Sequence, residues 1–161
     1  MKRFLFIAIL TFIFFLFEFV LFNSFGRWLK PNLLLLLVVY FNLAFGVRFS
    51  LVAALLAGLW KDSFTINVFG MNIIAFILCA YMTTFIKRYL FHMGSAGSRV
   101  LIVFGVTIFY CIALFVLNTL FSDVDFGQMF IYVLLPEVVL TTLLTNVIFK
   151  QLRKCVLKLS V

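Results

Sequence analysis

The stretch LLLLLVVYFNLAFGVRFSLVAALLAGLW, from Leu33 to Trp60, decides how this chain must fold. Read as one helix, its 28 residues would reach about 42 Å, well past a roughly 30 Å hydrocarbon core. Arg48 would then lie near the bilayer centre, at a cost of about 3 kcal/mol or more. A break at Gly46-Val47-Arg48 removes both difficulties and leaves two short helices. The same pattern extends to both sides. Apolar blocks cover Phe4–Phe22, Leu33–Val47, Phe49–Trp60, Met71–Ile86, Val100–Phe121 and Met129–Phe149, and only Glu18 and Glu137 carry charge inside them. With 66% hydrophobic residues and a mean hydropathy of +1.29, folding in water would leave too much apolar surface wet. The expectation is an all-α, polytopic transmembrane bundle.

Basic residues give an independent test of the number of spans. With six spans, at 4–22, 33–47, 49–63, 71–86, 100–121 and 129–149, both termini share one side. Lys2, Arg3, Arg48, Lys87, Arg88, Arg99, Lys150, Arg153, Lys154 and Lys158 then all face the cytoplasm. Arg27, Lys30 and Lys61 fall outside, with Asp62, Asp123 and Asp125. Cytoplasmic loops carry such an excess of Lys and Arg, and merging the second and third helices would destroy it. The longest polar gap, Lys87 to Arg99, is too short to fold alone, so residues 1–161 read as a single membrane domain. The first block is long enough to span, and no small-x-small cleavage site follows it, so it reads as an uncleaved helix.

The net charge of +8 sits at block ends, where it would meet anionic headgroups, and not in a stripe beside exposed aromatics. That excludes nucleic acid as the partner and favours the lipid bilayer. His92 is the only histidine, and no nucleophile, phosphate-loop or metal-ligand pattern accompanies it. Cys79 and Cys111 lie inside blocks and read as small apolar fillers; Cys155 is a lone juxtamembrane cysteine. No catalytic, cofactor or metal residues are assigned, and the chain reads as a non-enzyme.

Two acids stand out as candidates of possible function. Glu18 and Glu137 both fall in the outer half of the membrane, where a carboxyl can bind a cation, carry a proton or meet a partner's polar group. The blander alternative is a neutral carboxyl bonded to a neighbouring helix. A proton-coupled carrier is disfavoured because no charged partner is expected at matching depth in another helix. Pro136 should kink the last helix near Glu137. Ala53, Ala54, Ala57 and Gly58 suit close helix packing.

A more specific pattern runs from Lys30-Pro31-Asn32 into the aliphatic run ending at Tyr40, through Gly46, then Gly58-Leu59-Trp60-Lys61-Asp62 and Phe69-Gly70-Met71-Asn72. It resembles the rod shape-determining MreD family, with its Pro-Asp before an aliphatic run, Gly-Leu-x-x-Asp ending the third helix, and Gly-x-Asn opening the fourth. Asn32 departs from the family's usual Asp. The resemblance rests on Pro31, Gly58, Asp62, Gly70 and Asn72. Physically, Pro31 can start a helix at no cost, Gly58 permits close packing and Gly70 a tight turn. Asp62 can be solvated, paired or offered to a partner, and Asn72 can cap the fourth helix or bond across the loop.

The resemblance implies a membrane scaffold in the bacterial cytoplasmic (inner) membrane, without cofactors. Its implied partners are an MreC-like protein, the cytoskeletal MreB, a RodA-type glycosyltransferase and a class B penicillin-binding protein. The implied role is to link MreB and MreC to peptidoglycan synthesis and so maintain rod shape. The alternative is the substrate-binding membrane subunit of an energy-coupling-factor-type vitamin transporter, with Glu18, Trp60, Asp62, Asn72 and Glu137 as a polar cluster near the outer face. On the scaffold reading, Glu18→Gln and Glu137→Gln leave function largely intact.

Overall fold

A computed structural model describes residues 2–25, 31–64, 69–90, 96–121 and 135–159. These form six α-helices: α1 (Lys2–Phe25), α2 (Leu33–Phe45), α3 (Val47–Ser63), α4 (Met71–Leu90), α5 (Ala96–Phe121) and α6 (Leu135–Leu159). The chain is an all-helical membrane bundle. Segments of α1, α4 and α5 are each long and apolar enough to cross a bilayer unaided.

α2 is apolar on every face, and a helix with no polar stripe has to be enclosed. Leu33 to Asn42 are all buried, and Leu34 to Val39 have no exposed surface. The other helices wrap it in an arc, α1 on α3, α3 on α4, α4 on α5 and α5 on α6, while α2 touches all five. An apolar groove lies between the ends of the arc, with α1 on one wall and α6 on the other.

The expected break is realised at Gly46 alone, whose φ of +93° and ψ of 177° suit only glycine. One residue therefore turns the chain, and Val47 and Arg48 join the first turn of α3 instead of flanking it. Four helices extend beyond their expected spans. α1 takes in Lys2 and Arg3 and runs on to Phe25. α4 continues through Lys87 and Arg88, because cations are favourable in the last turn of a helix. α5 begins four residues early, with Arg99 inside it. α6 runs on through Lys150–Lys158, since Lys, Arg, Gln and Leu are good helix formers whatever their polarity. The expected start of that span at residues 129–134, together with His92, Asp123 and Asp125, lies outside the described residues. Pro136 occupies the first turn of α6, where a missing N–H costs nothing, and not the helix interior, where proline kinks.

α3 is the helix that approaches its neighbours most closely. Ala53, Ala54, Ala57 and Gly58 are buried on one face. A Cβ placed on Gly58 would lie 2.5 Å from the Ile73 Cα of α4, which is backbone and cannot step aside. Gly105 of α5 is different, since its nearest obstacle is the flexible Ile86 Cδ1 at 3.8 Å. Gly58→Ala is therefore expected to destabilise the bundle by about 1–3 kcal/mol, the usual range for overpacking. Gly105→Ala should be near neutral or stabilising, because alanine is the better helix former. Unfolding of the two purified variants in mixed micelles reads the contrast, and equal midpoints would contradict the close α3–α4 approach.

Candidate functional site

At about 1.5 Å per residue, α2 is only about 20 Å long, so its ends do not both reach water across a roughly 30 Å core. Its N-terminal N–H groups and C-terminal carbonyls need partners from within the protein. At the C-terminal end, Lys87 of α4 donates from Nζ to the carbonyls of Asn42 (3.3 Å) and Leu43 (3.1 Å). Asn42 Nδ2 donates to the Ala80 carbonyl (2.7 Å) and Thr84 Oγ1 (2.9 Å), and Ser50 Oγ to the Val38 carbonyl (3.0 Å).

The N-terminal end is richer, and it gathers both intramembrane acids. Asn32 is the N-cap, its Oδ1 accepting from Leu35 N–H at 3.0 Å. Its own N–H donates to Thr141 Oγ1 (3.0 Å) and its Nδ2 to Glu137 Oε1 (2.8 Å), both on α6. Leu34 N–H donates to Glu18 Oε2 of α1 (3.2 Å). Carboxylates from two other helices thus meet the positive end of the α2 dipole, where negative charge is stabilised.

Glu18 has a second partner. Its Oε1 lies 3.3 Å from Lys61 Nζ, an ion pair whose two side chains are 8% and 12% exposed. The Lys61 ammonium lies 5.4 Å from the ring centres of both Phe76 and Tyr110, within cation–π range, and those rings stack at 5.2 Å. Tyr110 O–H then donates to Asn72 Oδ1 at 2.9 Å. This overturns the expectation that no charged partner lies at the depth of Glu18. The physical reason is the length of α3. With 17 residues it ends inside the bundle, so Lys61 turns inward to the carboxylate instead of outward to water.

Asp62 lies beside that pair and is 4% exposed. Its Oδ1 accepts from Asn72 N–H (3.1 Å) and Asn72 Nδ2 (2.8 Å), and its Oδ2 from Gly70 N–H (3.1 Å) and Ile73 N–H (3.2 Å). The cap of α4 therefore comes from the end of α3. Of the two roles open to the Asn72 side chain, it takes the bond across the loop, bridging Asp62 and Tyr110, while the Asp62 carboxylate takes the free N–H groups of α4. Gly70, at φ +104°, lets the chain turn into this arrangement.

Of the seven residues singled out from the sequence, Glu18, Asp62, Gly70, Asn72 and Glu137 meet in this cluster. Gly58 lies one turn along α3 from it, against Ile73. Pro31 lies just before the cap instead of inside the first turn. Its carbonyl accepts from Leu33 N–H at 3.1 Å, and α2 starts at Leu33, where the expected span begins. Lys61, Asn32, Tyr110 and Thr141 were not foreseen as members. Asn before an apolar run is a helix-start signal, and it pointed to Asn32. An aspartate at position 32 would present Glu137 Oε1 with a second acceptor, whereas the amide donates.

Chemically, the cluster is a set of bonds between helices, with all six contributing. Among the described residues no buried side-chain nitrogen or oxygen lacks a hydrogen-bond partner, and no three His, Cys, Asp or Glu side chains group as a metal site. The carboxylates are thus tied to N–H groups and an ammonium.

Loss of one member of a buried ion pair strands the other, at about 3–5 kcal/mol, whereas replacing both with apolar groups is often close to neutral. Lys61→Met and Glu18→Leu should each strongly destabilise the purified chain. The double variant should recover most of that loss, a coupling measurable by unfolding in mixed micelles. Simple additivity would show that the pair does not act as a unit. Glu18→Gln is correspondingly expected to lower stability.

A family model described as rod shape-determining protein MreD matches residues 1–155, nearly the whole chain. No curated protein and no solved structure matches it.

Proposed function

Because the chain belongs to the rod shape-determining protein MreD family, we propose that it determines rod shape as a non-enzymatic scaffold within the cell-elongation machinery. In this reading it links MreB and an MreC-like protein to peptidoglycan synthesis by a RodA-type glycosyltransferase and a class B penicillin-binding protein. It does so from the bacterial cytoplasmic membrane, crossing six times with both termini inside.

The observation that carries the reading is the use made of the polar cluster. A carrier needs polar groups converging on a cavity and available to a substrate. Here Glu18, Asp62 and Glu137 hold helix termini and a lysine, which suits a fixed frame whose outer faces meet other proteins. That is why the scaffold is preferred to the vitamin-transporter alternative. Orientation is supported by charge. Arg48, Lys87, Arg88, Arg99, Lys150, Arg153 and Lys154 all occupy helix ends opposite the Glu18–Lys61 pair, as the positive-inside rule requires of a cytoplasmic face.

Affinity purification of a tagged copy from its native host in mild detergent should recover an MreC-like protein with a peptidoglycan polymerase or transpeptidase. Recovery of a coupling membrane subunit with ATPases would replace this reading with the vitamin transporter. Topology is tested separately, in a chain whose three cysteines are replaced by alanine. A cysteine at Asn23, a polar and exposed position near the outer end of α1, should react with an impermeant thiol reagent from outside the cell. One at Arg153 should react only after permeabilisation, and the reverse pattern would refute the orientation.

A further inference from the structure

The groove between α1 and α6 encloses about 670 Å³. Its α6 wall is the stripe Leu140, Leu143, Leu144, Val147, Ile148 and Gln151, the i, i+3, i+4, i+7 spacing of one helix face. Ile13, Phe14, Phe17 and Leu21 of α1 form the opposite wall, and Pro31 and Leu33 the floor. Among the described residues of the lining, Gln151 is the only polar one. It marks the end where α6 becomes basic. Lys154 continues the stripe one turn on and Lys150 adjoins Gln151, both exposed, while Arg153 falls on another face.

We propose that this groove binds one anionic phospholipid, its chains along the apolar walls and its phosphate at Gln151, Lys150 and Lys154. An apolar surface in a membrane meets lipid by default, so shape and charge must decide. The recess is concave, and from Leu140 to Gln151 it runs about 16 Å along α6. That is about half of a roughly 30 Å hydrocarbon core, the depth of one leaflet and the reach of one lipid's chains. A transmembrane helix would need a groove twice as long, and nothing in its apolar body would use the amide and two ammonium groups. Clustered cations at a membrane surface attract anionic headgroups, and these two stand where a phosphate would emerge. The site is independent of the scaffold reading, since it concerns the lipid the chain carries and not the proteins it meets.

The test uses the full-length chain, extracted from vesicles of equal parts phosphatidylglycerol and phosphatidylcholine and examined by native mass spectrometry. One phospholipid should be retained, with phosphatidylglycerol favoured roughly tenfold or more, the effect of two surface cations. Lys150→Gln with Lys154→Gln should bring that preference close to unity, while Arg153→Gln leaves it unchanged. Leu144→Trp, which fills the groove, should abolish retention of either lipid. Val147→Trp should do the same from a 54% exposed position where misfolding is not a concern. Equal retention of the two lipids, or retention unaffected by both tryptophans, would overturn the proposal. So would disulfide-linked dimers through Leu143→Cys in the cysteine-free chain, which would assign the groove to a second copy.

Discussion

The bundle depends on one electrostatic constraint, that the ends of α2 must be satisfied without water. A helix of 13 residues that is apolar but for Asn42 is best placed at the centre, and once there it is too short to bring both termini to the surface. An unsatisfied backbone group in such surroundings costs several kcal/mol, so partners have to be supplied. They come with the charge that the helix dipole favours: carboxylates of Glu18 and Glu137 at the N-terminus, the ammonium of Lys87 at the C-terminus. Each is anchored on a different helix, so satisfying α2 also fixes where α1, α6 and α4 can lie.

The same logic is repeated once, one helix along. The start of α4 receives Asp62 from α3, and the charge of Lys61 that accompanies Asp62 is neutralised by Glu18. The two capping sites therefore share a member, and the bundle is joined through Glu18, Lys61, Tyr110, Asn72 and Asp62 into one network. Such buried pairs are seldom a net source of stability, because desolvation offsets most of the attraction. Their use here is better understood as registry. Among largely interchangeable apolar helices, polar contacts of fixed geometry choose one arrangement over others of similar packing energy.

The helix count was legible because length and charge agree on it: a 28-residue stretch with Gly46 and Arg48 at its middle does not fit one span. Gly58 and Gly70 were also legible, since close approach and a positive φ are demands that glycine meets and other residues do not. What hydropathy hid was how far each helix continues past its apolar block, because Lys87, Arg99 and Lys150 are as compatible with helix as with loop. Lys61 was hidden for a deeper reason. Its neighbour Asp62 and its position at a block end are the marks of an exposed turn. Only the shortness of α3 relative to α1 places that turn level with Glu18 inside the bundle. Tyr110 carries no local signal at all, for its role arises from which helices become neighbours.

The open side of the arc follows from the same geometry. α6 reaches α2 through Glu137 and Thr141 near its start and again where the Phe149 ring meets Tyr40 edge-on at 5.3 Å, and its longer contact is with α5. Glu137 lies near the start of α6 and ties that end to α2 by a hydrogen bond, while the stripe from Leu140 onward faces α1 across the groove. Packing alone would close such a gap, for dispersion rewards contact between any two apolar walls. That the polar anchor holds α6 to α2 while α1 and α6 stay apart makes the recess a product of the capping network. A groove kept open by bonds at its deep end, with cations at its mouth, is a seat for a lipid, whose chains supply the apolar contacts that the two helices do not make with each other.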